Sequence, residues 1–220
     1  MDYHVQLFRG IIHPKISAYQ LQKAEQISAL VKKMMLLFFS SLLLFALSAY
    51  FGIGNESISK TINNWSAEEF EARKLWFALG QVVWGVIWTG FILFFPALLY
   101  WILTDLEYRK LLVLQLFAGV ILLLEKLVLL PFQYQLGIDV QSSPFSLGVL
   151  AQYITNNRFL IGFFGAITLF KVGIMFLQYH YLKILTDRTS KQLIFIILSI
   201  NLFFWIFTAI LSMIPLDKLI

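Results

Sequence analysis

The sequence predicts an all-α membrane protein, a polytopic bundle of five transmembrane helices. Hydrophobic residues make up 60% of the 220 residues and charged residues 13%, whereas soluble domains have roughly 45–50% and about 25%. So little polar surface cannot cover a water-soluble globule. The apolar runs are long and do not alternate with polar residues, which predicts helices and excludes an outer-membrane barrel. Cysteine is absent, which excludes disulfides and thiolate metal sites in this sequence.

Five apolar segments predict the spans, and they cover residues 34–53, 76–104, 111–131, 159–182 and 192–214. Pro96 is expected to kink the second span. The apolar piece 145–154 is too short to cross a bilayer and is expected to lie in the interface or against the bundle. The chain therefore divides into an N-terminal segment, 1–33, and a five-helix transmembrane domain, 34–220.

The distribution of basic residues predicts the orientation. Five spans place the termini on opposite sides, and the side of the N-terminus carries ten lysines and arginines against five on the other side. This bias predicts a cytoplasmic N-terminus and an outer C-terminus. The net charge of +5 is thus explained by topology, so the expected partner is the lipid bilayer with its anionic headgroups and not nucleic acid. The ten residues are Arg9, Lys15, Lys23, Lys32, Lys33, Arg109, Lys110, Lys183, Arg188 and Lys191.

The segment before the first span predicts a short amphipathic helix on the cytoplasmic surface. Pro14 stands at a suitable first helical position. Apolar residues fall near one face and lysines near the other: Ile16, Ala24, Ile27, Leu30 and Val31 against Lys15, Lys23, Lys32 and Lys33. Such a helix lies in the membrane interface. The alternative is a simple cytosolic extension of the first span.

Charged residues within spans are costly and indicate function by default. Glu125 and Lys126 lie in the third span and Lys171 in the fourth. At 1.5 Å per residue, Glu125 lies about 20 Å from the inner start of its span and Lys171 about 18 Å from the outer start of its own. We expect a buried Glu125–Lys171 pair, with Lys126 extending towards the interface. The favoured role is to fix helix register, and a proton or ion pathway is the alternative.

Polar and small residues also recur at helical spacing in the last spans. Gln178 in the fourth span and Asn201 in the fifth belong to such polar stripes, and Gly162 with Ala166 forms a seam of small residues. These patterns predict close helix packing with interhelical hydrogen bonds. A polar substrate pocket is the alternative.

Two short turns share a sequence. Residues 102–105 and 184–187 both read Ile-Leu-Thr-Asp, and basic residues follow each of them. Two helical hairpins related by an axis along the membrane normal produce such a repeat, and chance is the alternative. The turns are expected to offer six charged residues to a partner at the inner surface: Asp105, Arg109, Lys110, Asp187, Arg188 and Lys191.

Catalytic signatures are missing from the sequence. It contains no His-Glu-x-x-His, no Gly-x-Ser-x-Gly and no glycine-rich phosphate loop. The histidines His4, His13 and His180 lack the spacing of metal ligands. The sequence therefore predicts a protein that is not an enzyme and holds no cofactor or metal.

A family resemblance rests on two stretches within this layout. Residues 11–14 read Ile-Ile-His-Pro before the amphipathic stretch, and 158–162 read Arg-Phe-Leu-Ile-Gly before the basic turn 183–191 and the last span. In these features the chain resembles the Yip family of membrane proteins (Ypt/Rab-interacting proteins and their bacterial relatives). The Asp-Leu-Tyr-Gly-Pro signature and the long N-terminal region of eukaryotic members are absent, so the likeness is to the bacterial branch.

The resemblance implies a multi-pass protein of the bacterial plasma membrane that serves as an accessory subunit of an ABC-type exporter. It implies no catalytic residues. The expected function is that of a non-enzymatic scaffold or accessory protein that contacts another membrane protein, and a homo-oligomer is left open. The alternative is a small transporter or channel subunit with a polar path around Glu125 and Lys171.

Overall fold

A computed structural model describes residues 2–54, 66–138 and 142–213. These residues are all-α apart from two strands of three residues each. The elements in chain order are β1 (Asp2–His4), α1 (Leu7–Ile12), α2 (Pro14–Gln22), β2 (Gln26–Ser28), α3 (Leu30–Tyr50), α4 (Ala67–Leu103), α5 (Tyr108–Leu136), α6 (Gly148–Ile154), α7 (Arg158–Gly165), α8 (Leu169–Leu185) and α9 (Ser190–Ser212).

Within the described residues, four helices are long and apolar enough to cross a membrane, and they are α3, α4, α5 and α9. They contain the predicted first, second, third and fifth spans, except for the ends of those spans beyond Tyr50, Leu103 and Ser212. α4 has 37 residues and is therefore about 55 Å long, which exceeds a hydrocarbon core of about 30 Å. A capping box between Ser66 and Glu69 starts this helix, and α4 continues through Pro96.

The prediction of one continuous helix over 159–182 is wrong. The structure has α7, of 8 residues, and α8, of 17 residues, with a break at 166–168. At 1.5 Å per residue α8 is about 25 Å long, so neither piece alone spans the hydrocarbon core. The predicted short piece 145–154 contains α6, which packs on α7.

α5 is the central helix of the bundle. Nine consecutive residues, 111–119, are buried on all sides, because α1, α3, α4 and α8 all pack against this helix. A helix surrounded in this way presents no amphipathic face, and its apolar residues read as a continuous run. Gln115 is buried within this run, and its side-chain Nε2 has no hydrogen-bond partner.

The N-terminal segment folds onto the bundle. β1 and β2 pair in parallel, and α2 packs on α8. The predicted helical face does not continue beyond Gln22, because Ile27 lies in β2 and Leu30 and Val31 belong to α3. The buried side of α2 consists of Ser17, Ala18 and Leu21.

Buried tyrosines anchor this segment to the bundle. The Tyr181 hydroxyl of α8 donates to the Gly10 carbonyl over 2.9 Å, and the Phe117 ring of α5 fills the space beside Gly10. Tyr3 is buried near Ser17, and this burial raises the pKa of its phenol. The segment is therefore held by specific contacts to α5 and α8.

Candidate functional site

Backbone groups of residues 145–147 form hydrogen bonds with backbone groups at the break between α7 and α8. The Leu147 N–H donates to the Ile167 carbonyl over 3.0 Å, and the Leu169 N–H donates to the Phe145 carbonyl over 3.0 Å. These two bonds flank an antiparallel bridge between Ser146 and Thr168. A helix break surrounded by apolar residues is tolerated only where its backbone groups find such partners.

Two side chains also form hydrogen bonds with backbone groups at the break. Thr168 is the N-cap of α8, and its hydroxyl accepts the Lys171 backbone N–H over 3.2 Å. The Lys171 ammonium turns back and donates to the Ala166 carbonyl at the end of α7 over 2.7 Å. One lysine thus satisfies the carbonyl that the helix break leaves open.

Glu125 faces the break from α5. This residue is 7% exposed, and its carboxyl group lies near the Thr168 side chain and the positive charge of Lys171. Among the described residues, no direct ion pair joins Glu125 to Lys171. The predicted pair is therefore wrong as a contact. The two charges are neighbours, and the Lys171 ammonium takes the Ala166 carbonyl as its partner instead.

Lys126 points to an aromatic ring. Its ammonium lies 4.0 Å from the centroid of the Phe45 ring on α3. A cation over the face of an aromatic ring is stabilised by the ring quadrupole, and more so where water is excluded. The sequence identified the lysine but not this partner.

Two further polar residues take different kinds of partner. The Tyr100 hydroxyl of α4 donates to the Gln178 Oε1 of α8 over 3.0 Å, and both side chains are buried. Gln178 thus forms the expected interhelical bond. The same expectation is wrong for Asn201, whose Nδ2 donates to the Ile197 carbonyl of its own helix. Tyr100 was missed, although a tyrosine in an apolar run requires a partner for its hydroxyl.

The two Ile-Leu-Thr-Asp turns have the same backbone geometry. Thr104 is the C-cap of α4 with φ −132° and ψ 154°, and Thr186 is the C-cap of α8 with φ −127° and ψ 152°. The next helix has its N-cap three residues later in both turns, at Glu107 and at Thr189. The sequence repeat is therefore a structural repeat of two hairpins, α4–α5 and α8–α9.

An ion pair joins the two turns at one end of the bundle, which we call the turn end. The Arg188 Nη2 lies 3.3 Å from the Asp105 Oδ2. Lys110 pairs with Glu107 of its own turn at 3.1 Å. The other three predicted docking residues, Arg109, Asp187 and Lys191, are exposed. Three of the six residues therefore form ion pairs at the turns, and the other three are exposed.

In the described part of the chain, no group of three or more histidine, aspartate or glutamate side chains is arranged to hold a metal ion. No protein-family model, curated protein or solved structure matches this chain. The resemblance to the Yip family therefore stays a prediction.

Proposed function

We propose that this protein is a non-enzymatic accessory subunit of the bacterial plasma membrane that docks another integral membrane protein at its turn end. The observation that carries the proposal is that two turns of equal geometry lie side by side, with Asp105 and Arg188 within 3.3 Å of each other. The same turns and the helix starts after them carry three exposed charged residues at this end of the bundle: Arg109, Asp187 and Lys191. An ABC-type exporter is the partner class that the Yip resemblance implies.

Both turns are held firmly, which supports a docking role. The Thr104 hydroxyl donates to the Tyr100 carbonyl over 2.6 Å, and the Arg188 backbone N–H donates to the Thr186 hydroxyl over 2.9 Å. Charges on rigid backbone lose less conformational entropy when a partner binds. Complementary charges on the partner would then set the register of the complex.

The proposed topology has five crossings, with α7 and α8 together forming the fourth. The satisfied backbone at 166–168 supports this arrangement, because lipid offers no substitute hydrogen bonds. The excess of basic residues then places the N-terminus and the turn end in the cytoplasm.

A cytoplasm-specific reporter tests the topology. It is expected to be active when fused before Met1 and inactive when fused after Ile220. Activity at both ends means an even number of crossings, so that α7 and α8 do not cross, and this result overturns the five-span topology.

The second candidate is a small transporter or channel subunit. The observation that favours it is the broken helix beside Glu125 and Lys171, since transporters place ion sites at unwound helix segments. Against this role, the Lys171 ammonium already donates to Ala166. Ion flux into liposomes that contain only the purified chain would favour this second function.

The docking proposal is tested by co-purification in mild detergent followed by mass spectrometry. Arg109→Gln with Lys191→Gln is expected to reduce the yield of the partner about tenfold, which corresponds to about 1.4 kcal/mol of binding free energy. The matched control is Lys23→Gln with Lys32→Gln, which removes two exposed charges elsewhere. Equal recovery of the partner with both double variants contradicts the proposal.

A further inference from the structure

A groove lies between α2 of the N-terminal segment and the last turns of α8. Its volume is about 430 Å³. The lining is basic and aromatic, and it includes Lys15, Tyr19, Gln22, Tyr179, His180 and Lys183. None of these side chains is acidic, so an anion in the groove meets lysines from both walls.

The donors of the groove are ordered by neighbouring groups. The Lys183 ammonium lies 5.6 Å from the centroid of the Tyr179 ring. The His180 Nδ1 lies 2.8 Å from the Phe176 carbonyl. Because a carbonyl only accepts, Nδ1 carries the hydrogen, and Nε2 of the neutral ring is then an acceptor, so the donors for an anion in the groove are the two lysines.

An apolar stripe continues from the groove along the same face of α8. At 100° per residue, five residues of α8 fall within 80° of arc on one face: Leu169, Gly173, Phe176, His180 and Lys183. Leu169 is 68% and Phe176 64% exposed, and no atom of the chain lies within 4 Å of a Cβ built on Gly173. From Leu169 to Lys183 the stripe rises about 21 Å.

We propose that this stripe binds one acidic phospholipid. Its phosphate lies between Lys15 and Lys183, and an acyl chain follows α8 past Phe176 into the open space at Gly173. The apolar continuation selects a lipid over a free phosphate, since half of a hydrocarbon core is about 15 Å thick. Basic pockets of this kind bind anionic headgroups at membrane surfaces. The inference goes beyond the docking role and does not depend on it.

The test is thermal unfolding of the full chain in a neutral detergent. Phosphatidylglycerol is expected to raise the Tm in a concentration-dependent manner, because a ligand that binds only the folded state stabilises it. Phosphatidylcholine and inorganic phosphate at equal concentrations are expected to have no such effect. Equal stabilisation by inorganic phosphate assigns the groove to a soluble anion and overturns the lipid proposal, as does equal stabilisation by phosphatidylcholine.

Variants locate the binding in the groove. Lys15→Gln with Lys183→Gln is expected to raise the phosphatidylglycerol concentration that gives a half-maximal increase in Tm at least tenfold. Lys23→Gln with Lys32→Gln removes the same charge outside the groove and is expected to leave the effect unchanged. Lys15→Arg with Lys183→Arg keeps the charge and is expected to retain binding. An unchanged effect in the Lys15 and Lys183 glutamine variant overturns the proposal.

Discussion

Two segments of the bundle end in turns of the same sequence and geometry, yet one segment is a single helix and the other is broken. α4 runs through 37 residues although Pro96 lies within it. The segment before the second turn contains no proline, yet it divides into α7 and α8 at 166–168. Helix continuity in this protein is therefore not decided by proline. It is decided by the neighbours that compete for the backbone groups.

The surroundings of the two segments explain the difference. At the break, the backbone of Phe145 and Leu147 provides hydrogen-bond partners, and the Lys171 ammonium donates to the carbonyl of Ala166, the C-cap of α7. The difference extends to packing. Gly80 and Gly162 both stand 25 residues before the aspartate of their turn, but Gly80 faces open space whereas Gly162 is closed by α9.

The largest expected effect comes from removing the lysine at the break. Lys171→Met leaves the Ala166 carbonyl without its donor and removes the positive charge beside Glu125. Leaving a buried carbonyl unsatisfied costs about 1–3 kcal/mol, and Glu125 is in addition stranded without the neighbouring positive charge, so thermal unfolding in detergent should show a large loss of stability. The double variant with Glu125→Gln should be more stable than Lys171→Met alone, because the stranded charge is gone. A double variant that is no more stable would show that Glu125 does not depend on Lys171.

A proline at the start of α8 tests the backbone bonds of the break. Leu169 is the first residue of α8, where proline fits, and the extended Thr168 suits a residue before proline. Leu169→Pro removes only the N–H that donates to Phe145, which should cost about 2 kcal/mol. Leu169→Ala keeps this bond and serves as the control. If both variants unfold at the same temperature, the bond does not stabilise the break.

The two equivalent glycines provide a matched pair of variants. A Cβ at Gly162 would collide with Ser212 and lie 3.3 Å from the Ala209 Cα, so Gly162→Ala should cost at least about 1 kcal/mol by forcing α9 outwards. Gly80→Ala meets no atom within 4 Å and should stabilise α4 slightly through helix propensity. Urea unfolding of both variants measures the difference. Equal stabilities would mean that α9 does not pack closely on α7.

The smallest effect is expected from removing the ion pair between the two turns, where the two hairpins are alike. Asp105→Asn breaks the ion pair between the turns, but the Asp105 side chain is 98% exposed. Exposed pairs contribute little, so the change in unfolding free energy should stay within about 0.5 kcal/mol. Salt should weaken the pair in the unmodified chain. A larger loss at low ionic strength would show that the pair, and not the buried contacts, holds the hairpins together.

Hydropathy located four of the predicted spans, and the repeated tetrapeptide located two turns of equal geometry. Both signals are local in sequence. The break at 166–168 could not be predicted in this way, because the partners of its backbone come from 145–147 and from the Lys171 side chain. The partner of Gln178 was also out of reach, since Tyr100 lies 78 residues away. In a uniformly apolar chain, the sequence pattern indicates which segments cross but not which of them are surrounded by others.

The docking of α2 on α8 has a consequence for how the chain is made. Leu169 follows Gln22 by 147 residues, so at about 5–20 residues per second a ribosome needs roughly 7–30 s to add the partner of α2. During this interval Leu21 and the rest of the buried side of α2 have no α8 to cover them. α2 is therefore synthesised well before the helix on which it packs. A nascent chain arrested after α5 should lose its first 30 residues to protease, whereas the finished protein should keep them.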